Sequence, residues 1–334
     1  MTTLSRIRSS PWTRTLVAAV AVLLLFEFGV ARSKAAMGLT SGLFVGATFA
    51  IEDSIIEPGP DPEVLLFGSS RIQAALSPRM MEADLGLDGG TVMNLAQPFG
   101  DAVVGRIVYE RNREKLSRAG IAVVGVEMWD VFGPASIDPT TEYLLPLGER
   151  LEYGGKDEIS LLIGATWKTY AIRRILPQLI SNIIAGGAET GPVAPDGRLQ
   201  FFAADADGPA TINAAEQFDE RFGRLEEPGA FDSSSHRADL AELVATLQAD
   251  GMQVILVHLP LRSDFLPELE RRLPNAMEQF ARVLEDVPGV ATVDLGTTLA
   301  ALGLPDTGYY DFGHAAESGV AALTRHVARV IGDV

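Results

Sequence analysis

The amino-acid sequence predicts an α/β protein: a doubly wound sheet of five parallel strands in a three-layer α/β/α arrangement, preceded by one N-terminal transmembrane helix. Three observations predict it. Short β-rich runs at 64–67, 91–95, 121–126, 253–259 and 290–295 recur with helical stretches between them. An apolar stretch at 15–31 follows Arg6, Arg8 and Arg14. The roughly 270 residues beyond it are enough for one large domain with a well-buried core.

The apolar stretch, TLVAAVAVLLLFEFGVA, is interrupted by Glu27 and is near the lower length limit for a spanning helix. It reads as an anchor, with residues 1–14 as a cytoplasmic tail. A cleaved signal peptide is the alternative, because Gly29-Val30-Ala31 has small residues where a signal peptidase inspects the chain. Either reading exports the remainder of the chain, although Arg32 and Lys34 just beyond the stretch weaken the charge bias. Glu27, near the far end, reads as tolerated at the interface rather than functional. Residues 32–62 read as a membrane-proximal linker. Within it 37–51 is apolar but too short and Gly-rich for a second span, so it lies on the membrane surface or packs on the domain. Pro58-Gly59-Pro60 stops any helix before the domain of 63–334 begins.

Within that domain, 101–118 carries Val103, Val104, Ile107, Val108 and Leu116 on a helical period, with Gly120 at the stop. Ser233-Ser234-Ser235 opens a second such helix through Leu240, Leu243, Val244 and Leu247, closed by Gly251. Both read as crossover helices. A last amphipathic helix runs through Val320, Leu323, Val327 and Ile331. Residues 131–232 break the rhythm with a helix near 158–184 and a Gly-, Pro- and Asp-rich stretch from 186 to 229. They form an insertion that reads equally as a lid or substrate wall and as a surface excursion.

Lys and Arg number 27 against 44 Asp and Glu, a net charge of −17 that repels polyanions and excludes a nucleic-acid partner. With no cysteine, neither a disulfide framework nor a thiolate metal site exists, and the compartment rests on the leader.

Directly after the first strand, Phe67-Gly68-Ser69-Ser70-Arg71 forms a small-residue turn that lifts serine hydroxyls out at the carboxyl edge of the sheet, where open parallel sheets bind ligands. Near the C-terminus Asp311 precedes His314 by three residues, just ahead of the last helix. In an Asp-x-x-His turn the carboxylate accepts the Nδ1 proton of the same imidazole, which leaves Nε2 free to take a proton from a serine. A nearby helix N-terminus keeps the resting ring neutral. Of the other histidines, His236 and His326 read as solvated or packed on helices, and His258, at the end of the fourth strand, as a core group or a neighbour of the site. Singly, Ser70 is also an ordinary turn residue, Gly100 a loop glycine and Asp311 a helix cap.

Jointly, the strand-turn serine and the Asp311-x-x-His314-(x)₄-Gly319 pattern resemble the first and last signature blocks of the SGNH (GDSL-type) hydrolases. The resemblance implies a flavodoxin-like three-layer fold, with Ser70 as nucleophile, His314 as base and Asp311 as its partner. It also covers Asn94-Leu95-Ala96-Gln97-Pro98-Phe99-Gly100-Asp101, where the family has an Asn-containing strand end and then a glycine whose N–H serves the oxyanion. The implied oxyanion donors are thus the Ser70 and Gly100 amides with Asn94. Two departures stand out. Gly-Ser-Ser in place of Gly-Asp-Ser resembles the membrane-anchored branch that includes alginate O-acetyltransferases and the protein of teichoic-acid D-alanylation. The third block, usually Gly-x-Asn-Asp, is Gly125-Val126-Glu127-Met128, so a carboxylate replaces the asparagine donor. Either Glu127 points elsewhere, it is protonated, or Asn94 or Arg71 substitutes as donor. Ser69, Arg71 and Glu127 are therefore accessory candidates.

The resemblance implies extracytoplasmic, serine-dependent acyl transfer or ester hydrolysis on a cell-envelope or exported polysaccharide through an acyl-serine, with no metal or organic cofactor. The implied partners are the glycan, the membrane through the N-terminal helix and, by analogy with that branch, a multi-spanning membrane acyltransferase as acyl donor. A catalytically inactive accessory protein for glycan binding or polysaccharide export is the alternative that Glu127 favours. A lipase-like esterase is the other; it needs an apolar lid, and Phe201-Phe202 stands in an acidic, Gly-rich insertion.

Overall fold

The computed structural model describes residues 11–33, 36, 45–57, 59–98, 100–132, 143–144, 158–173, 176–185, 207–227, 229–232, 235–294 and 299–333. Arg6, Arg8, Lys34, Phe99, Phe201-Phe202, Ser233-Ser234 and the side chain of His236 lie outside the described residues. The elements, in chain order, are α1 (Pro11–Phe26, continued by a π-turn, Glu27–Ala31), α2 (Val45–Ile56), β1 (Val64–Phe67), α3 (Ser70–Ala75), α4 (Pro78–Leu85), β2 (Val92–Asn94), α5 (Ala102–Arg111), α6 (Arg113–Leu116), β3 (Ile121–Gly125) and α7 (Met128–Val131). They continue as α8 (Glu158–Thr166), α9 (Lys168–Ala171), α10 (Leu176–Ala185), α11 (Ala214–Arg221), α12 (Ser235–Ala249), β4 (Gln253–His258), α13 (Leu266–Arg272), α14 (Ala276–Glu285), β5 (Ala291–Asp294) and α15 (Glu317–Gly332). The chain forms two compact units, Met1–Phe49 with Ile137–Glu189, and Ala50–Ser136 with Thr190–Val334. The stretch read as one insertion at 131–232 is thus divided between them.

The second unit holds a five-stranded, all-parallel sheet in the order β2-β1-β3-β4-β5. β1 is buried along its whole length, as a parallel strand covered on both faces requires. Alternate residues supply two cores. Leu65, Phe67, Ala122, Val124, Val254 and Leu256 pack with Val108 of α5, Leu240 and Leu243 of α12 and Phe280 of α14. Val64, Leu66, Val123, Ile255, Val257 and Val293 pack with Ile72 of α3, Met81 of α4 and Leu323 and Val327 of α15. Strand order reverses about β1, which places a crevice at the carboxyl ends of β1 and β3.

Local chemistry moves several expected boundaries. The helix expected over 101–118 starts after Asp101, whose carboxylate accepts the Val104 amide at 2.9 Å, and breaks at Asn112, whose side chain donates to Val108 O at 2.8 Å. The expected linker contains α2, whose Ile51 and Ile55 join the core of the second unit, so this part of 37–51 packs on the domain. The helix expected near 158–184 is three shorter ones, α8 to α10, the first break falling at extended Trp167.

In the first unit, Pro11–Ala31 is 21 residues with a hydropathy of 2.0, long and apolar enough to cross a membrane. Glu27 is more than a tolerated charge near the end of this helix. Its carboxylate is buried and accepts from Lys168 N at 2.9 Å, Thr169 N and Oγ1 at 2.8 Å each, and Arg32 Nε at 2.8 Å. It caps α9, whose first amides have no carbonyl of their own to bind.

Candidate active site

The site lies where the β1–α3 turn meets the loop before α15. At Gly68 φ is +142°, and a Cβ would stand 2.8 Å from Ile72 Cγ1 and 3.2 Å from Gly125 O, so only glycine fits. Ser69 caps α3, its Oγ accepting the Arg71 amide at 3.2 Å. Ser70 is the first residue of α3, where backbone amides lack intrahelical acceptors. Its hydroxyl lies 2.7 Å from His314 Nε2.

The partner loop is closed by a bridge between Tyr309 and Ala315 and by the Tyr310 amide, which donates to His314 O at 2.8 Å. Inside it Asp311 Oδ1 accepts the Gly313 amide at 2.9 Å and the His314 amide at 2.7 Å, and Oδ2 lies 2.7 Å from His314 Nδ1. Burial pushes the Asp311 carboxyl up, but the hydrogen bond and charge of the His314 ring and the two backbone amides outweigh it and hold the group at about 2. An ionised carboxylate only accepts, so Nδ1 carries the ring proton and Nε2 presents its lone pair to Ser70. The three residues singled out as nucleophile, base and partner are thereby joined in one hydrogen-bonded chain.

Arg71 and Glu127 lie beneath it, both 1 % exposed and paired with each other. Arg71 Nε donates to Gly313 O at 2.9 Å, and Nη2 to Leu259 O and Pro260 O at 2.8 and 2.9 Å. This one guanidinium ties the turn bearing Ser70 to the loop bearing His314 and to the end of β4. Of the three possibilities left for Glu127, it points elsewhere, toward Arg71. Burial raises its carboxyl to about 7 against the opposing charge and hydrogen bond of Arg71. Asp130 Oδ2 accepts the Glu127 amide at 2.8 Å and fixes its backbone.

Two residues expected as oxyanion donors are engaged in the loop after β2. The Gly100 amide donates to Gln97 O at 2.9 Å, and Asn94 donates to Leu76 O at 3.3 Å while accepting the Ala96 amide at 3.1 Å. The chain has to turn sharply there, and these groups close the turn. Gly100 still abuts the Ser70 turn, since a Cβ on it would stand 2.5 Å from Gly68 O. Arg71, considered as a substitute donor, is buried and bonded as above. His258 is a core group. Its Nδ1 lies 3.2 Å from Val126 O, its ring packs edge-on to Phe280, and burial first, then the Arg71 charge, push its pKa down to about 3.

Sequence reasoning missed two residues that hold the His314 loop. Gln217 of α11 accepts the Phe312 amide at 2.8 Å. Arg262, fully buried, donates to Pro209 O at 2.8 Å, Ala210 O at 3.1 Å and Tyr309 O at 3.3 Å. The signal for Arg262 was a lone cation in the apolar run after β4; Gln217 had none. A cleft of about 540 Å³ reaches Asp311 and Tyr310, walled by Asp207, Asn213, Glu216 and Glu220. Among the described residues no cluster of three or more His, Asp or Glu is arranged to hold a metal ion.

Chemically, a hydroxyl so held can lose its proton to Nε2 as its oxygen bonds to carbon, with the developing imidazolium facing the Asp311 carboxylate. Fold and site define a parallel α/β protein with a Ser–His–Asp chain at its switch point. No family model matches the sequence, and no curated protein matches it.

Proposed function

We propose that the protein is a serine-dependent acyltransferase or esterase that acts on a cell-envelope or exported polysaccharide from the extracytoplasmic face of a membrane. The observation that carries this reading is the pair of 2.7 Å contacts, Ser70 Oγ to His314 Nε2 and His314 Nδ1 to Asp311 Oδ2, at the carboxyl edge of the sheet. Ser70 takes the acyl group as its proton passes to His314, the leaving group departs with that proton, and a sugar hydroxyl or water then resolves the acyl-serine with His314 again as base. The Ser70 amide at the start of α3 is the oxyanion donor that remains from the expected set. The polar walls of the adjoining cleft favour a hydroxyl-rich acceptor over a long-chain ester. The bonds of Glu27 to α9 favour a retained anchor over a cleaved leader, because cleavage after Ala31 would strip the cap from Lys168 and Thr169. A single anchor would keep the domain beside a membrane-embedded acyl donor.

The second reading is a non-enzymatic accessory protein of the same fold, favoured by the engagement of Asn94 and Gly100 in their own loop. Intact mass of the full-length protein after exposure to p-nitrophenyl acetate separates the two. The enzyme reading expects one acetyl adduct, absent in Ser70→Ala and His314→Ala. No adduct on folded protein, under conditions that label a serine esterase, would overturn it in favour of the accessory reading.

A further inference from the structure

Two short helices of the first unit, α8 and α10, have a surface unlike that of a water-facing helix. On α8 Ile159 is 73 % exposed, with Leu162 and Ile163 also turned outward; on α10 Ile180 and Ile184 are outward, the latter 81 % exposed. At spacings of three and four these form one apolar stripe per helix, while α10 packs inward through Leu179 and Asn182. Neither stripe contains a charge, since 159–167 and 176–185 hold no Asp, Glu, Lys or Arg. Isolated exposed hydrophobic residues are ordinary, but uncharged stripes on two helices separated by one turn of chain mark an interaction surface.

What covers the stripes is indicated by where the helices attach. α8 and α9 meet the foot of the apolar segment Pro11–Ala31, of which only 11 % of the most hydrophobic window is buried, and α10 follows α9 closely in the chain. Glu27 caps α9, Arg32 Nη2 donates to Thr166 O at the end of α8 at 2.7 Å, and Tyr143 Oη donates to Ala31 O at 3.0 Å. Lys168 Nζ in turn donates to Tyr143 O at 2.6 Å. Around this junction stand Trp167, Tyr170, Arg32, Lys168 and Arg173, the aromatic and basic residues that settle at a bilayer–water boundary. In a chain of net charge −17, 158–185 carries Lys168, Arg173 and Arg174 against Glu158 alone.

We infer that α8 to α10 are seated on the lipid bilayer, with Ile159, Leu162, Ile163, Ile180 and Ile184 in the acyl-chain boundary and the basic residues at the headgroups. The helices α8 to α10 are then a second membrane contact beside the apolar helix. The end of α8 is bonded to Arg32 just beyond the apolar helix, which is where an interfacial helix would bury its apolar face. The inference rests on the reading that Pro11–Ala31 spans a bilayer.

The test uses the full chain in phosphatidylcholine–phosphatidylglycerol nanodiscs. The chain has no cysteine, so single variants Ile159→Cys, Ile184→Cys, Val22→Cys and Glu278→Cys carry one spin label each. Collision with oxygen, which concentrates in lipid, is compared with collision with a water-soluble nickel chelate. Labels at 159 and 184 are expected to favour oxygen severalfold, as at Val22 in the apolar helix and unlike exposed Glu278. If nickel reaches 159 and 184 as readily as 278 while 22 stays in lipid, the stripes face water and the inference fails although the span stands. If both reagents are excluded from 159 and 184, protein covers them and the inference also fails. If nickel reaches 22 as well, the spanning reading falls with it.

Discussion

Replacing Asp311 by asparagine changes one atom at the centre of the site. The amide oxygen can still accept the Gly313 and His314 amides, which Asp311 Oδ1 accepts at 2.9 and 2.7 Å, so the loop keeps its shape. The amide nitrogen then faces His314 Nδ1. Two donors cannot share that contact, so the ring proton moves to Nε2 and the ring donates to Ser70 where it has to accept. In the Ser-His-Asp template this tautomer change lowers the rate by about 10⁴. The stability effect is smaller. The Asp311 carboxyl sits at about 2 against an ordinary 3.8, a difference worth about 2 kcal/mol at neutral pH. Because its pKa is depressed in the folded state, that contribution is present above about pH 4 and disappears as the pH falls toward 2. A loss of about 2 kcal/mol from the usual 5–15 kcal/mol leaves the variant almost wholly folded, so unfolding would not account for a 10⁴-fold loss of acylation. The assay is the rate of acetyl-adduct formation by mass, with urea unfolding at pH 7, 4 and 2.5. The asparagine variant is expected to acylate about 10⁴-fold more slowly and to lack the wild type's acid-sensitive increment. Acylation within tenfold of wild type would refute the assignment of Asp311 as the group that orients His314.

Ser69→Ala removes the N-cap of α3 and is expected to lower stability by about 1 kcal/mol in a thermal melt while the adduct at Ser70 persists; loss of the adduct in this variant alone would make Ser69 the nucleophile. Glu127→Gln tests the buried pair through pH. A carboxyl raised from 4.5 to about 7 by burial stabilises the fold below 4.5, and that increment is lost as the pH climbs through 7. Urea titrations from pH 4.5 to 8 are expected to show this decline in the wild type and a flatter profile in Glu127→Gln. A variant that is instead several kcal/mol less stable than wild type at pH 8 would show that the charge of Arg71 governs the pair.

The strands were legible because a parallel strand buried on both faces has to be an apolar run, and the runs at 64–67, 121–126 and 253–259 contain enough Val, Ile and Leu to stand out. The Asp311–His314 pair was legible because a three-residue spacing lets one turn close on itself, and a local hydrogen bond leaves a local pattern. By its local sequence Ser70 was a turn residue, and only the resemblance paired it with His314; its place against a histidine 244 positions away is a product of the fold. What the sequence by itself determined is therefore the layered α/β architecture, the apolar N-terminal helix and the candidate chemical groups, each encoded in period, composition or short spacing. The tertiary structure alone decided how the distant groups combine. It turned Glu127 toward Arg71, closed Asn94 and Gly100 into their own loop, drew Gln217 and Arg262 under the His314 loop, and made Glu27 the cap of α9. A buried or half-buried polar group has to find a partner, and for Glu127, Gln217, Arg262 and Glu27 which partner lies within about 3 Å depends on the packing of segments far apart in the chain.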